Sequence, residues 1–318
     1  MHAVERQTSF LCIGGANVDR KIQSLVPLQL ETSNPSVSSH TFGGVARNIA
    51  ENLARMGGRV GLYTLVGPDS EGEHLISHCK QAGIDTVTTE VVPSAQTGNY
   101  TAVLNRDGSL AVAMADMQIY DLFTVQRVGG KWDTIGQADI VVADTNLPAP
   151  TIDYLIQHCR SKNLKLCIVP VSAPKVQRIP NDLNGVSLFI LNRDELECLM
   201  GLTSQTQTTA AITEACRQLH KRGCHNVVVT QGSKEVLVVS DSGEVLVQPV
   251  PKVHVAEVTG AGDAFASGVT YGLYALECTL SVAIQLGLSV AKETLQSTET
   301  VSSSITPLFL KEWGTQQT

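Results

Sequence analysis

No two of the eight cysteines in this 318-residue sequence stand in a C-x-x-C arrangement. Several lie in apolar runs, as Cys12 and Cys167 do, so we interpret them as small apolar side chains kept reduced rather than as a disulfide framework. The sequence also has no apolar run long enough to cross a membrane, and its N-terminus lacks a signal-peptide pattern. These absences predict a soluble, cytoplasmic protein that does not bind a membrane.

Clusters of basic residues are missing as well, and 23 Lys and Arg stand against 30 Asp and Glu, which gives a net charge of −7. Nucleic acid is therefore not expected as a partner. What the chain does contain is a hydrophobic fraction of 43%, enough for a large buried core. No convincing linker divides the sequence, so we predict one domain over residues 1–318.

Short apolar runs recur along the chain, and most are followed by a segment with helical periodicity. A run that is apolar on both faces is typical of a strand in a parallel sheet covered by helices. The predicted strands are 10–13, 60–67, 139–144, 164–169, 188–191 and 226–230, with a hairpin at 235–239 and 244–250. The predicted helices include 45–56, 71–82, 149–159, 263–276 and 280–295. This alternation predicts an α/β fold with a doubly wound, mostly parallel sheet flanked by helices.

Polar residues stand where several predicted strands end. They are Asn17, Asp144, Asn146, Asn192 and Thr230. In such sheets ligands bind beyond the carboxyl ends of the strands, so these residues are expected to share one edge. Asn17 and Asp19 alternate and can point to one face, where an amide and a carboxylate suit a ligand rich in hydroxyl groups. The alternative is a polar turn without a ligand.

The stretch from Gly260 to Asp263 opens a predicted helix. Gly260, Ala261 and Gly262 carry little or no side chain, so a ligand can approach their backbone N–H groups. With the helix dipole behind them, these groups form an anion site. The charge of Asp263 competes with a bound anion, which makes sense if Asp263 takes a proton from a nucleophile that attacks the anion. The stretch predicts phosphoryl transfer; the alternative is an ordinary glycine turn before a helix with an acidic first turn.

A second pair of glycines, Gly43 and Gly44, opens another predicted helix and places Asn48 on its first turns, above the glycines. Further on, residues 100–114 have a strong hairpin pattern that interrupts the series of strands and helices. We interpret this hairpin, with strands from the region before Gly43, as a small β lid built from segments at about 17–42 and 97–117. Asp116 at the hairpin end is expected to return towards the site.

Over nearly its full length the chain resembles the ribokinase-like (PfkB) carbohydrate and nucleoside kinases. Three motifs carry the resemblance: Gly43-Gly44 through Asn48 to Gly57, Asn192-x-x-Glu195, and Thr259 through Asp263 to Phe265. Three motifs in the right order are far more specific than any one of them.

The resemblance implies ATP as phosphate donor, Mg²⁺ as cofactor and a small-molecule nucleoside or sugar as acceptor. It implies that Asp263 is the catalytic base and that the backbone of Gly260, Ala261 and Gly262 forms the anion hole. The implied substrate-binding residues are Asn17, Asp19, Gly43, Gly44, Asn48, Asp116 and Asn146. The implied nucleotide-binding residues are Asn192, Thr230 and Gly232, and Asn192 with Glu195 is implied to hold Mg²⁺.

Several shorter segments are similar to those of family members that phosphorylate the 5′-hydroxyl of pseudouridine. They are residues 33–35, Arg47 after the glycines, residues 115–119, 143–146 and 170–172. A C-linked uracil exposes an extra ring N–H, and we expect Asp116 or a backbone carbonyl of the lid to accept its hydrogen bond. Other ribosyl substrates (ribose, uridine or adenosine) remain alternatives, as does a catalytically weak regulatory protein. A dinucleotide-dependent oxidoreductase ranks lower, because Gly14-Gly15 is not a G-x-G-x-x-G turn.

The sequence departs from the family where Glu257 and Val258 replace a common Asp-Thr pair. That region helps to bind a monovalent cation in relatives, so activation by potassium stays open. A homodimer formed through the lid stays open as well.

Overall fold

The computed structural model describes residues 7–202 and 208–315. Fourteen strands occur in these two segments. They are β1 (Ser9–Ile13), β2 (Asn17–Ser24), β3 (Ser36–Gly43), β4 (Arg59–Tyr63), β5 (Leu65–Val66), β6 (Glu90–Val91), β7 (Asn99–Leu104), β8 (Leu110–Asp116), β9 (Ile140–Asp144), β10 (Lys165–Val169), β11 (Leu188–Asn192), β12 (Asn226–Thr230), β13 (Glu235–Val239) and β14 (Val245–Pro249).

Eleven α-helices and one short 3₁₀ helix (Gln118–Leu122) lie in the same described segments. The α-helices are α1 (Val45–Arg55), α2 (Ser70–Gln81), α3 (Val125–Gly130), α4 (Trp132–Ile135), α5 (Ala149–Ser161), α6 (Ala173–Val176), α7 (Arg193–Met200), α8 (Thr209–Lys221), α9 (Ala261–Tyr274), α10 (Leu280–Leu295) and α11 (Pro307–Thr315). None of the helices found there is long and apolar enough to cross a membrane.

The main sheet has eight strands in the order β14-β13-β12-β11-β10-β9-β1-β4. All pairs from β12 to β4 are parallel, and only the pairs β12–β13 and β13–β14, at one edge, are antiparallel. Alternate residues of β1 enter two different cores, because side chains along a strand point to opposite faces. Cys12 packs in the core that contains α1, α9 and α10, and Ile13 packs in the core that contains α5 and α8. The predicted doubly wound α/β fold is confirmed.

A second sheet of four strands has the order β3-β2-β7-β8. β2 pairs antiparallel with β3 from Asn17 opposite Gly43 to Ser24 opposite Ser36, and parallel with β7. The predicted hairpin forms as β7 and β8. The two chain segments assigned to a lid thus meet in one sheet, although the movement of a lid remains a proposal.

One predicted strand, 60–67, is divided in the structure. β4 pairs with β1 only up to Tyr63 opposite Ile13, where β1 ends in the turn at Gly14. Beyond that point the carbonyls of Thr64 and Val66 accept from Glu90 and Val92 instead, at 2.9 and 2.8 Å. β5 therefore leaves the main sheet and forms a two-stranded sheet with β6.

Close packing between α9 and α10 fixes the direction of α9. A Cβ atom added at Gly268 would lie 2.7 Å from the Cα of Gly287, and one added at Gly287 would lie 2.8 Å from the carbonyl oxygen of Phe265. Side chains at these two positions would push the helices apart. The glycine contact therefore holds the N-terminus of α9 above the carboxyl edge of the main sheet.

Candidate active site

The N-terminus of α9 is shaped by Gly260, which caps the helix at a φ of 84°. A Cβ atom here would lie 2.0 Å from the carbonyl oxygen of Thr300, so only glycine fits this turn. At Gly262, by contrast, an added Cβ would meet no atom of the described part of the chain within 4 Å. Among the described residues, no acceptor is recorded for the N–H groups of Gly262 and Asp263. The open space and the free donors together form a site suited to an anion.

Asp263 lies partly buried on the first turn of α9. Its Oδ2 accepts a hydrogen bond of 2.6 Å from Nδ2 of Asn48 on α1. Burial raises the pKa of Asp263 to about 7, although the Asn48 hydrogen bond and the positive charge of Arg47 oppose the rise. A carboxylate with a pKa near neutrality is well suited to take a proton at physiological pH.

The carboxylate of Asp144, at the end of β9, holds the glycine turns together. It accepts hydrogen bonds from the backbone N–H groups of Gly15 (2.8 Å), Ala46 (3.1 Å) and Asn146 (2.8 Å). A Cβ atom at Gly14 would lie 2.3 Å from this carboxyl group, which explains the glycine there. Asp144 thus binds the end of β1 and the start of α1 to the sheet edge.

Asn17 and Asp19 lie on the first residues of β2 rather than on the end of β1. Their side chains share a face as predicted, and Nδ2 of Asn17 donates to Oδ1 of Asp19 at 2.6 Å. A Cβ atom at Gly43 would lie 2.2 Å from Oδ2 of Asp19, so the glycine leaves room for this carboxylate. Burial raises the pKa of Asp19. Gly44 follows at a φ of 97°, where an added Cβ would lie 2.3 Å from the carbonyl oxygen of Gly15.

Farther along the same face of β2, Nζ of Lys21 donates to Oε2 of Glu257 at 2.6 Å. The hydrogen bond from Lys21 holds the pKa of Glu257 at about 2. This ion pair joins the second sheet to the segment that leads into Gly260.

Asp116 does not join the cluster around Asp263. It is exposed at the end of β8, where it pairs with Asn99, and Asn99 pairs with Val18. Residues directly opposite each other point to the same face, so Asp116 lies on the face of the second sheet opposite Asn17 and Asp19. Sequence patterns alone do not give this register.

Asn192 and Glu195 form a capping box at the start of α7. Oδ1 of Asn192 accepts from the Glu195 N–H at 2.9 Å, and Oε2 of Glu195 accepts from the Asn192 N–H at 2.8 Å. Burial raises the pKa of Glu195, and no cationic side chain of the described residues is recorded against it. A bound cation would compensate this buried charge.

Thr230 and Gly232 lie beside this capping box. Thr230 pairs with Asn192 at the ends of β12 and β11, and Gly232 adopts a φ of 62°, where an added Cβ would meet no atom of the described residues within 4 Å. Within the described ranges, no three His, Cys, Asp or Glu residues are grouped as metal ligands. Mg²⁺ commonly takes only one or two protein carboxylates together with water and phosphate, so Asn192 and Glu195 fit that metal.

Two cationic residues near the site had no role assigned from the sequence. Nζ of Lys175 on α6 donates to Oδ1 of Asn146 at 2.5 Å, and burial lowers the pKa of Lys175. Arg47 is almost completely buried beside Asn48. The sequence contained one signal for Arg47: Arg47, Glu51 and Arg55 stand four residues apart on a predicted helix, which is the spacing of helical ion pairs.

Comparisons with known proteins place the chain in a family. The model of the pfkB family carbohydrate kinases matches residues 7–307. Pseudouridine kinase of Escherichia coli is 32% identical over 257 residues, covering 81% of each chain. Guanosine-inosine kinase of Exiguobacterium acetylicum is 30% identical over 90% of this chain and 94% of its own. The structure of Arabidopsis thaliana ribokinase with ribose and ATP has a TM-score of 0.82 at 19% identity, over 96% of this chain and 98% of that chain.

Proposed function

The chain belongs to the pfkB family of carbohydrate kinases, and we propose that it transfers the γ-phosphoryl group of ATP to the 5′-hydroxyl of a nucleoside, with pseudouridine as the substrate. One observation carries the proposal: the carboxylate of Asp263, whose pKa is about 7, stands at a helix N-terminus that has free N–H donors. A base and an anion site on the same turn suit the attack of an alcohol on a phosphoryl group.

In the proposed reaction Asp263 takes the proton of the 5′-hydroxyl while the hydroxyl oxygen bonds to the γ-phosphorus. The bond from the γ-phosphorus to the bridging oxygen of ADP breaks in line with the attack. The N–H groups of Gly262 and Asp263 donate to the oxygens of the moving group, whereas the Ala261 N–H already donates to the Val258 carbonyl at 3.3 Å. Such a transition state needs alignment and charge neutralisation more than covalent help.

The remaining residues hold the two substrates. Asp19 accepts hydrogen bonds from the ribose hydroxyls, and the amide of Asn17 both accepts from them and donates to them. Thr230 and Gly232 line the nucleotide side. Mg²⁺ bound near Asn192 and Glu195 would neutralise phosphate charge.

The proposal gives no role to a monovalent cation. Glu257 departs from the family pattern in the region where relatives bind such a cation. Nζ of Lys21 already pairs with its carboxylate at 2.6 Å.

We propose that the second sheet closes over the nucleoside and keeps water from competing as acceptor. Asp116 then contacts the base only if closure brings the end of β8 to the pocket, so its role in base selection stays a prediction.

A panel of acceptors tests the substrate. ADP release is measured with pseudouridine, uridine, guanosine, inosine, adenosine and ribose, for the wild type and for Asp263→Asn. We expect the highest kcat/KM for pseudouridine and loss of turnover in the variant. A higher kcat/KM for guanosine or ribose would show that this compound is the preferred acceptor, as the similarity to guanosine-inosine kinase allows for guanosine. Tight nucleoside binding without any turnover would favour a regulatory protein.

We further propose that two copies associate through their second sheets. β8 is an outer strand of that sheet and exposes large apolar side chains, with Leu110 57%, Val112 47% and Met114 71% accessible. Exposed apolar patches of this kind commonly mark contact surfaces. Light scattering is expected to give the mass of a dimer, and Met114→Glu is expected to shift it to a monomer. A monomeric wild type at micromolar concentration would refute the proposal.

A further inference from the structure

We propose that Arg47 is a positioning residue that orients the amide of Asn48 towards Asp263. Arg47 also connects this amide to the end of β3. The inference deepens the proposed function and rests on it, because it concerns how the base of that reaction is held.

The guanidinium group of Arg47 is enclosed, with 1% of the residue exposed. Nε donates to the carbonyl oxygen of Gly43 at 3.2 Å, and Nη2 donates to that of Phe42 at 2.6 Å. Nη2 also donates to Oδ1 of Asn48 and, at 3.3 Å, to Oγ1 of Thr300. The planar fork of arginine is suited to several acceptors at once.

The contact with Asn48 decides which way its amide faces. A side-chain amide has an oxygen that only accepts and a nitrogen that only donates. Because Arg47 can only donate, it holds Oδ1 of Asn48 and leaves Nδ2 to donate to Asp263. Rotation of the amide by half a turn would place a donor against Arg47 and an oxygen against the carboxylate. Both contacts would then be lost.

The other acceptors of Arg47 belong to parts of the chain that frame the site. Phe42 and Gly43 are the last residues of β3, where the second sheet passes into α1. The hydroxyl of Thr300 also donates to the Phe42 carbonyl at 3.1 Å, and the Thr300 carbonyl lies over Gly260. A movement of the second sheet about this junction would therefore act on Arg47, and through it on the alignment of Asn48 and Asp263.

A buried counterion keeps Arg47 in place. Glu51 is 2% exposed, and its Oε2 accepts from Nη1 of Arg47 and from Nε2 of His78, at 2.5 and 2.9 Å. Oε1 accepts from Arg55 at 2.8 Å. Burial opposes ionisation, but the hydrogen bond from His78 and the charge of Arg47 hold the pKa of Glu51 at about 2. Arg55 thus shares the counterion without touching Asn48, which makes it a matched control.

The test compares Arg47→Lys with Arg55→Gln in the full-length protein. Lysine keeps the charge but has one ammonium group in place of the fork. We expect Arg47→Lys to lower kcat about 10- to 100-fold, as a small misplacement of a reacting group does. We also expect the acid limb of kcat/KM to move to higher pH, because Asp263 loses its hydrogen bond. Arg55→Gln is expected to leave kcat and the acid limb of kcat/KM within about twofold of the wild type, since it removes only a second partner of the counterion Glu51.

A second variant and a second measurement keep the inference testable if Arg47→Lys does not fold. Thr300→Val removes one acceptor of Arg47 at almost constant shape, and the same shift in pH profile is expected, with a smaller amplitude. The titration of the Asp263 carboxyl carbon by NMR reports its pKa without any turnover, so it separates this inference from the proposed function. A pH profile of Arg47→Lys equal to that of the wild type would overturn the inference. If Arg47→Lys does not fold, a wild-type profile in Thr300→Val would overturn it instead. So would an equal shift in Arg55→Gln.

Discussion

Asp263→Asn is expected to lose about 10²- to 10⁴-fold in kcat, because asparagine cannot take the proton of the attacking hydroxyl. In the wild type, the activity should depend on pH in the way that ionisation of this base requires. Since the pKa of Asp263 is raised to about 7, kcat/KM is expected to fall tenfold per pH unit below that value. The measurement is ADP release from pH 5 to 9. A variant that keeps more than a tenth of wild-type kcat would show that another group is the base.

The same substitution is expected to stabilise the folded protein above pH 7. The pKa of Asp263 is about 3.8 when unfolded and about 7 when folded, so between these values the folded state binds more protons. The free energy of unfolding therefore decreases as the pH rises through this window, and the ionised carboxylate costs stability above it. Removing that charge is expected to add about 1–2 kcal/mol at pH 8, after allowing for partial exposure.

Thermal unfolding at pH 8 and pH 4 measures this gain, which is expected to vanish towards pH 4. Asp133→Asn is the matched control, because Asp133 is an exposed aspartate on the first turn of α4. It is expected to leave turnover unchanged and to give no gain in stability. A gain for Asp263→Asn that is equal at both pH values would contradict the titration argument.

Two alanine substitutions two residues apart at the start of α9 are expected to act in opposite directions on stability. Gly260→Ala introduces a side chain at a φ of 84° and places its Cβ 2.0 Å from the Thr300 carbonyl. We expect a loss of about 2–4 kcal/mol in the free energy of unfolding. We also expect kcat to fall about 100-fold, because the donors of the anion site move.

Gly262→Ala is expected to stabilise the protein by about 0.5–1 kcal/mol, since alanine is the better helix former and its Cβ meets nothing within 4 Å. Its methyl group occupies the space proposed for the phosphoryl group, so kcat is expected to fall about 10- to 100-fold. Chemical denaturation and ADP release measure the two effects separately. Full activity of Gly262→Ala would mean that the phosphoryl group does not approach this turn.

The sequence predicted the main sheet and the turn at Gly260 well, because both depend on local patterns. Buried strands read as continuous apolar runs, and a glycine turn before a helix needs no distant partner to be recognised. The two segments of the second sheet, at about 17–42 and 97–117, were also found.

Features that depend on distant partners escaped prediction. Arg47 is buried because acceptors from residues 42, 43, 48, 51 and 300 surround it. The spacing of Arg47, Glu51 and Arg55 indicates ion pairs along α1 but does not show that they are buried. The face on which Asp116 lies follows from strand register, which a shift of one residue would reverse. The role of Asp144 was missed for a related reason: a carboxylate at a strand end looks the same whether it binds a ligand or three backbone N–H groups.

The ion pair between Lys21 and Glu257 has a consequence for the timing of the catalytic cycle. With the side chains 46% and 26% exposed, the pair contributes at most about 1 kcal/mol and is screened by dissolved ions. Breaking this contact between the second sheet and the α9 turn therefore costs little, and it costs less as ionic strength rises. If product departure limits the cycle, turnover is expected to be faster in concentrated salt than in dilute buffer, up to the point at which the acceptor substrate is no longer retained.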